Sequence, residues 1–189
     1  MKTHLLMLAA LGLAMGCSDD SDTTDGASGG DVTCTGTGCA CAAAASCTCS
    51  AGVDCKEECG ASACSLSCDT ASKCNANGTG AVSLTCGDSS ECKANGGDNS
   101  QITCNGTSKC EMKAGADSTA TCSADADCKL QLGSGSSVTC GDTSSCDIKC
   151  SGDCMVTCAP EATCSLGCGA DGTAPSTECP NGLACGACS

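Results

Sequence analysis

Apolar positions along this chain come in short bursts rather than long runs: the segments SLTC, QITC, TATC, SVTC and MVTC end at Cys86, Cys104, Cys122, Cys140 and Cys158. Each alternates with period two. Leu84 and Cys86 fall on one side of an extended chain and Ser83 and Thr85 on the other, which is the pattern of a strand with one buried face. A polar turn follows, then a second short segment of the form x-Cys-x-h-x, where h is Leu, Ile, Ala, Val or Met, and then a Gly-rich turn. Neither segment is long enough for a helix. Gly97, Gly115 and Gly133 mark the second turn, where a backbone with positive φ would be cheap only for Gly.

The alternation recurs every 18 residues, along one cysteine ladder at Cys68, Cys86, Cys104, Cys122, Cys140 and Cys158 and a second at Cys74, Cys92, Cys110, Cys128, Cys146 and Cys164. A unit of two strands and two turns repeated at fixed period is one rung of a solenoid. The fold class expected is therefore all-β, a disulfide-braced parallel β-solenoid of 18-residue coils over residues 49–168. About seven rungs at about 4.8 Å each give a rod roughly 34 Å long.

Charge supplies an independent test of register. If rungs stack in line, residues one period apart are neighbours, and like charges there repel. Lys73, Glu91, Lys109 and Asp127 form one such column and Lys93, Glu111, Lys129 and Asp147 the next, with the sign alternating at every step. Within a rung the columns also oppose, as in Glu91 with Lys93, so the face reads as a checkerboard.

Composition explains why cysteines are needed. The 189 residues include 27 Cys, 25 Gly and no Trp, Tyr or Phe, with a formal charge of -14. Ala, Cys and scattered Val, Ile and Leu must do what aromatic side chains do in an ordinary core, and such a cysteine content marks a disulfide scaffold matured in an oxidising compartment. Cysteines six apart sit at the two ends of one turn, which predicts one bridge within each coil: Cys49–Cys55, Cys68–Cys74, Cys86–Cys92, Cys104–Cys110, Cys122–Cys128, Cys140–Cys146 and Cys158–Cys164. Bonding up the ladder, Cys86 to Cys104, is the alternative. Cys59 with Cys64 and Cys150 with Cys154 could staple the second turn. Cys34, Cys39, Cys41 and Cys47 fall in an N-terminal cap at 34–48, and Cys179, Cys185 and Cys188 in a C-terminal cap at 169–189, because solenoid ends expose strand edges that need covering.

The first residues, MKTHLLMLAALGLAMGC, carry Lys2, an apolar run from Leu5 to Met15, and Gly16 before Cys17. That is an export signal over 1–16, too short to span a bilayer. LAMGC resembles the lipobox of bacterial lipoproteins, with Ala14 where Leu is usual, and the resemblance implies cleavage before Cys17 and acylation of that cysteine. A plain signal peptide is the alternative, but acylation of Cys17 leaves 27 − 1 = 26 cysteines, which can pair completely. Residues 17–33, with Asp19, Asp20, Asp22, Asp25 and Asp31 and no Lys, read as a hydrated tether rather than a calcium loop.

The coil TCNGTSKC at Cys104–Cys110 is similar over about eight residues to the rungs of small beetle antifreeze proteins, which are disulfide-braced β-solenoids with shorter coils and a flat Thr-x-Thr array for ice; here only Thr119 and Thr121 make that pair. The overall layout resembles the cysteine-rich lipoproteins of myxobacteria, a group with no agreed activity.

Other chemistries find few parts. The single His is His4, inside the signal, so no mature Ser-His or Cys-His pair is expected. Close thiol spacings occur only in CAC, CTC and the terminal CGAC, so no metal site is expected, and thiolate metal binding of the metallothionein kind is the second function weighed. Asp125 and Asp127 read as solvated turn residues. Few lysines and no Arg argue against nucleic acid. The expected protein is not an enzyme and needs no cofactor beyond lipid on Cys17. It is exported and anchored in the bacterial envelope, at the outer membrane or cell surface, and serves as a scaffold, adhesion or binding protein. Its contact face is Thr85, Thr103, Thr121, Thr139 and Thr157, and its partner an extracellular protein or polysaccharide; ice binding is a third reading.

Overall fold

A computed structural model describes residues 33–187 apart from 44. The signal, Cys17, the Asp-rich stretch up to Asp31 and Cys188 lie outside the described residues. Among the described residues eighteen strands follow one another. In chain order they are β1 (Thr33–Thr35), β2 (Cys39–Ala43), β3 (Ser46–Cys49), β4 (Asp54–Glu58), β5 (Cys64–Cys68), β6 (Lys73–Asn77), β7 (Val82–Cys86), β8 (Glu91–Asn95) and β9 (Gln101–Cys104). The second half continues with β10 (Lys109–Lys113), β11 (Thr119–Cys122), β12 (Asp127–Leu132), β13 (Ser137–Cys140), β14 (Ser145–Cys150), β15 (Cys154–Cys158), β16 (Thr163–Cys168), β17 (Thr177–Cys179) and β18 (Gly182–Cys185).

The strands alternate between two sheets. An eight-stranded sheet has the order β1-β4-β6-β8-β10-β12-β14-β16, and a ten-stranded sheet the order β17-β18-β15-β13-β11-β9-β7-β5-β3-β2. From β3 to β16 every pairing is parallel and in register: Cys86 stands beside Cys104 and Cys68, and Lys109 beside Glu91 and Asp127. The fold is a parallel β-solenoid of about seven turns. Only the first full coil departs from the period, since Cys49 pairs with Cys68 at an offset of 19; the Cys59–Cys64 bridge spans the turn that absorbs the extra residue.

Inward positions from the two sheets form the core. Leu66, Leu84, Ile102, Ala120, Val138 and Val156 stack from the ten-stranded sheet against Ala76, Ala94, Met112, Leu130, Ile148 and Leu166 from the eight-stranded one. Beside them, at the first turn of each coil, run the disulfides. The structure pairs Cys49–Cys55, Cys68–Cys74, Cys86–Cys92, Cys104–Cys110, Cys122–Cys128, Cys140–Cys146 and Cys158–Cys164, with Cα separations from 5.9 to 6.6 Å. Cys34–Cys39, Cys41–Cys47, Cys150–Cys154 and Cys168–Cys185 are bonded too, and Cys179 is also in a disulfide.

At both ends the chain reverses. β1 runs antiparallel to β4 and β2 antiparallel to β3, while β18 runs antiparallel to β15 and β17 to β18. These strands cover three of the four edges that rung stacking would leave open, while β16 stays at the edge of its sheet with only a single bridge, Cys168 to Ala174, beyond it.

The expectation for Gly97, Gly115 and Gly133 needs correction. None has positive φ; that conformation falls two residues later, on Asn99, Asp117 and Gly135, with φ of 59, 56 and 78°. The glycines are needed for another reason. A Cβ on Gly97 would strike the Thr79 carbonyl oxygen of the preceding rung, and one on Gly133 would strike the backbone at Gly115 and Ala116. Successive turns pack backbone on backbone here, leaving no room for a side chain.

Candidate functional site

Parity along each strand fixes what faces solvent, and the two sheets present opposite chemistry. On the ten-stranded sheet the outward positions of β3 to β15 form two columns. One is Ser46, Ser65, Ser83, Gln101, Thr119, Ser137 and Met155, and the other Thr48, Ser67, Thr85, Thr103, Thr121, Thr139 and Thr157. No charged residue occurs in any of these seven strands. The five threonines expected as a contact face are thus adjacent in one line; Thr85, Thr139 and Thr157 are exposed and Thr103 and Thr121 half-buried.

The eight-stranded sheet is the reverse. Every lysine of the described residues lies on it: Lys56, Lys73, Lys93, Lys109, Lys113, Lys129 and Lys149. Facing outward with them are six acids, Asp54, Glu58, Glu91, Glu111, Asp127 and Asp147, so this face carries 7 − 6 = +1. All other exposed acids of the described residues, including Asp69, Asp88, Asp98, Asp125 and Asp142, sit on turns and ends. Asp125 is on a turn, whereas Asp127, expected on one, opens β12. A shallow groove of about 680 Å³ follows the charged columns from Gly36 to Lys129.

Three ion pairs within 4 Å appear on this face: Lys56–Glu58 at 2.7 Å, Lys73–Glu91 at 3.8 Å and Lys93–Glu111 at 3.1 Å. The hydrogen bonds from Lys56 and Lys93 hold the carboxyls of Glu58 and Glu111 below the usual carboxylate range. An amide ladder continues from Glu58: Asn77 Nδ2 donates to Glu58 Oε1 at 3.1 Å, and Asn95 Nδ2 to Asn77 Oδ1 at 2.7 Å. Several turn acids are occupied in joining rungs. Asp88 Oδ1 accepts from the Thr107 amide and hydroxyl, which lowers its pKa, and Asp98 Oδ1 accepts from the Ala116 amide at 2.7 Å.

Two internal features went unrecognised in the sequence. Buried serines line each turn: Ser72, Ser90, Ser108 and Ser144 in the first, Ser100, Ser118 and Ser136 in the second. Ser100 and Ser136 each donate their hydroxyl to the carbonyl three residues earlier, at 2.8 Å, and Ser118 does so at 3.0 Å. Their oxygens accept from the rung before, Val82 N to Ser100 Oγ, Ser100 N to Ser118 Oγ and Ser118 N to Ser136 Oγ. These spines satisfy buried backbone groups that would otherwise cost about 1 to 3 kcal/mol each. Their signal was the same 18-residue period as the cysteines.

The second feature is Glu57, which points inward between Cys55 and Cys59 and is fully buried, with no hydrogen-bond partner on either carboxylate oxygen. Burial raises its pKa to about 7. It heads the column that continues as Ala76 and Ala94.

Four groups bring three metal-type ligand atoms within 4.8 Å, among them Cys34 with Cys41 and Cys47, Cys86 with Cys104 and Cys110, and Glu57 with Cys59 and Cys64. Their cysteines are all in disulfides. Thiolate binding at any of them would first require reduction, because the thiolate is the ligand. Comparison of the chain with protein-family models, with curated proteins and with solved structures gives no match.

Proposed function

We propose that the protein is a non-catalytic, lipid-anchored scaffold of the bacterial envelope, held by Cys17 at the outer membrane or cell surface, whose hydroxyl face binds an extracellular polysaccharide or protein. The observation that carries the reading is the column Thr48, Ser67, Thr85, Thr103, Thr121, Thr139 and Thr157, in register on seven strands that carry no charge. Hydroxyls that both donate and accept, repeated at about 4.8 Å, suit an extended partner with regularly spaced polar groups. Bracing by a disulfide in each rung supports the same reading, since a preformed surface loses little conformational entropy on binding. The lipobox-like LAMGC supports the anchor; two or more acyl chains would hold the protein on a membrane through changes of salt.

Replacing Thr103, Thr121 and Thr139 together by Lys tests the face. Cell-surface or polysaccharide binding should fall by about tenfold or more, roughly 1.4 kcal/mol, with the disulfide count by intact mass unchanged. Undiminished binding removes the hydroxyl face from the account. Cys17→Ser should move the protein from the detergent-extracted to the soluble fraction, and retention on membranes would contradict the anchor.

A further inference from the structure

The confinement of all described lysines to one sheet is more than register selection requires. Alternating signs stabilise in-line stacking wherever they occur, yet the turns hold acids with no lysine among them, and the other sheet holds no lysine and a single acid, Glu178 on its end strand β17. Nor are the charges used up: among the described residues Lys109, Lys129, Asp54 and Asp127 form no ion pair within 4 Å. A face with balanced, ordered and unspent charge on a chain of net charge -14 is suited to a partner that carries the complementary order.

We propose that this face binds a second copy of the chain, the two eight-stranded sheets meeting face to face about a two-fold axis that runs along the strands between β8 and β10. Such an axis keeps each residue in its column and reverses the order of rungs. Glu91 then faces Lys109 of the other copy, Lys73 faces Asp127, Lys93 faces Glu111, Lys56 faces Asp147 and Glu58 faces Lys149. Symmetry doubles these five to ten opposite-charge pairs. The remaining positions match charge with neutral groups, Asp54 with Ser145, Asn75 with Lys129 and Lys113 with Asn95, or neutral with neutral, Asn77 with Gln131, and at no strand position from β4 to β14 does a charge meet its like. At the ends, Thr35 on β1 would face Ser165 on β16, both small and uncharged.

Magnitude sets the kind of complex. Six rungs at about 4.8 Å and five residues at about 3.3 Å give a face near 500 Å², or about 1,000 Å² buried in the pair. That is at the lower bound of specific interfaces, and exposed ion pairs contribute only about 0.2 to 1 kcal/mol each. The dimer is therefore weak and reversible in solution, and is favoured where copies are concentrated. This inference does not depend on what the hydroxyl face binds.

The cleanest pair to perturb is Glu58 with Lys149, because five rung steps, about 24 Å, separate them within one chain. Sedimentation of the full mature chain carrying Cys17→Ser, in about 0.1 M salt where charges more than about 10 Å apart are screened, should show a monomer–dimer equilibrium. Lys149→Glu and Glu58→Lys should each weaken it about tenfold, and the double variant should restore it, a rescue that cannot arise within one chain. Carbodiimide coupling of a mixture of light and isotopically heavy chains should join Lys73 to Asp127 and Lys149 to Glu58 between copies. A chain that stays monomeric, a double variant that is additively worse, or interchain coupling of Lys93 to Glu91 in place of these pairs would overturn the arrangement.

Discussion

The two sheets share one rung and one register and, Glu57 apart, one inward chemistry, and they differ outward. β10 and β11 belong to successive halves of the same coil, yet β10 shows Lys109, Glu111 and Lys113 to solvent where β11 shows Thr119 and Thr121. Inward, both offer a cysteine and one apolar residue: Cys110 and Met112 from β10, Ala120 and Cys122 from β11. The fold therefore does not dictate the outward residues. Cysteine, apolar and serine columns specify the solenoid, and the two outer faces are free to carry separate binding tasks.

The largest effect should come from removing what the faces share. A bridge that closes a six-residue loop contributes about 2 kcal/mol on the chain-entropy account. Seven in-coil bridges together match a typical domain stability of about 5 to 15 kcal/mol. Reduction should therefore unfold both faces in one step, seen as simultaneous loss of the strand signal in circular dichroism and of monomer compactness in sedimentation. Survival of one sheet without the bridges would show that the faces are not held by a common core.

A smaller effect is expected where the charged sheet intrudes on the core. Glu57 keeps its proton to about pH 7 when folded, against 4.5 for the ordinary value. Between those pH values the folded state holds a proton that the unfolded state has released, so stability falls as pH rises from about 4.5 to 7 and is level above. Glu57→Met, which extends the apolar column, should remove that slope and raise stability at pH 7.5 by roughly 1 to 3 kcal/mol. Denaturant titrations at pH 5 and 7.5 would show it; a variant that keeps the slope assigns the proton elsewhere.

The smallest effects should separate the faces. Thr121→Lys adds a charge to an uncharged column and should change stability by less than about 0.5 kcal/mol. Lys109→Glu instead sets three acids in a row, Glu91, position 109 and Asp127, and should cost about 0.5 to 1 kcal/mol, an effect weakened by salt. Equal costs measured by chemical denaturation would erase the distinction.

Most of the solenoid was legible because its determinants repeat. Leu84 and Cys86 share a parity, and the columns through Lys73 and Lys93 alternate at the period of the cysteines, so strand faces and register could be read together. The ends do not repeat, and nothing in Thr33–Thr35 or Gly182–Cys185 announces an antiparallel strand. The buried serines were hidden by the habit of reading Ser as a surface turn residue, although Ser100, Ser118 and Ser136 kept the period. Glu57 was hidden for a similar reason: its charge suggested solvent while its position between Cys55 and Cys59 placed it inside. Of the candidate site, the Thr85 to Thr157 column was legible as a line. The segregation of lysines emerges only when both sheets are laid side by side.

The central claim is that each rung is closed by its own disulfide, and trypsin cleavage under denaturing, non-reducing conditions tests it directly. Cleavage after Lys113, Lys129 and Lys149 releases residues 114–129, with Cys122 and Cys128, and residues 130–149, with Cys140 and Cys146. The account predicts two separate peptides, each with an internal disulfide, while a single species joining Cys122 to Cys140 up the ladder would contradict it.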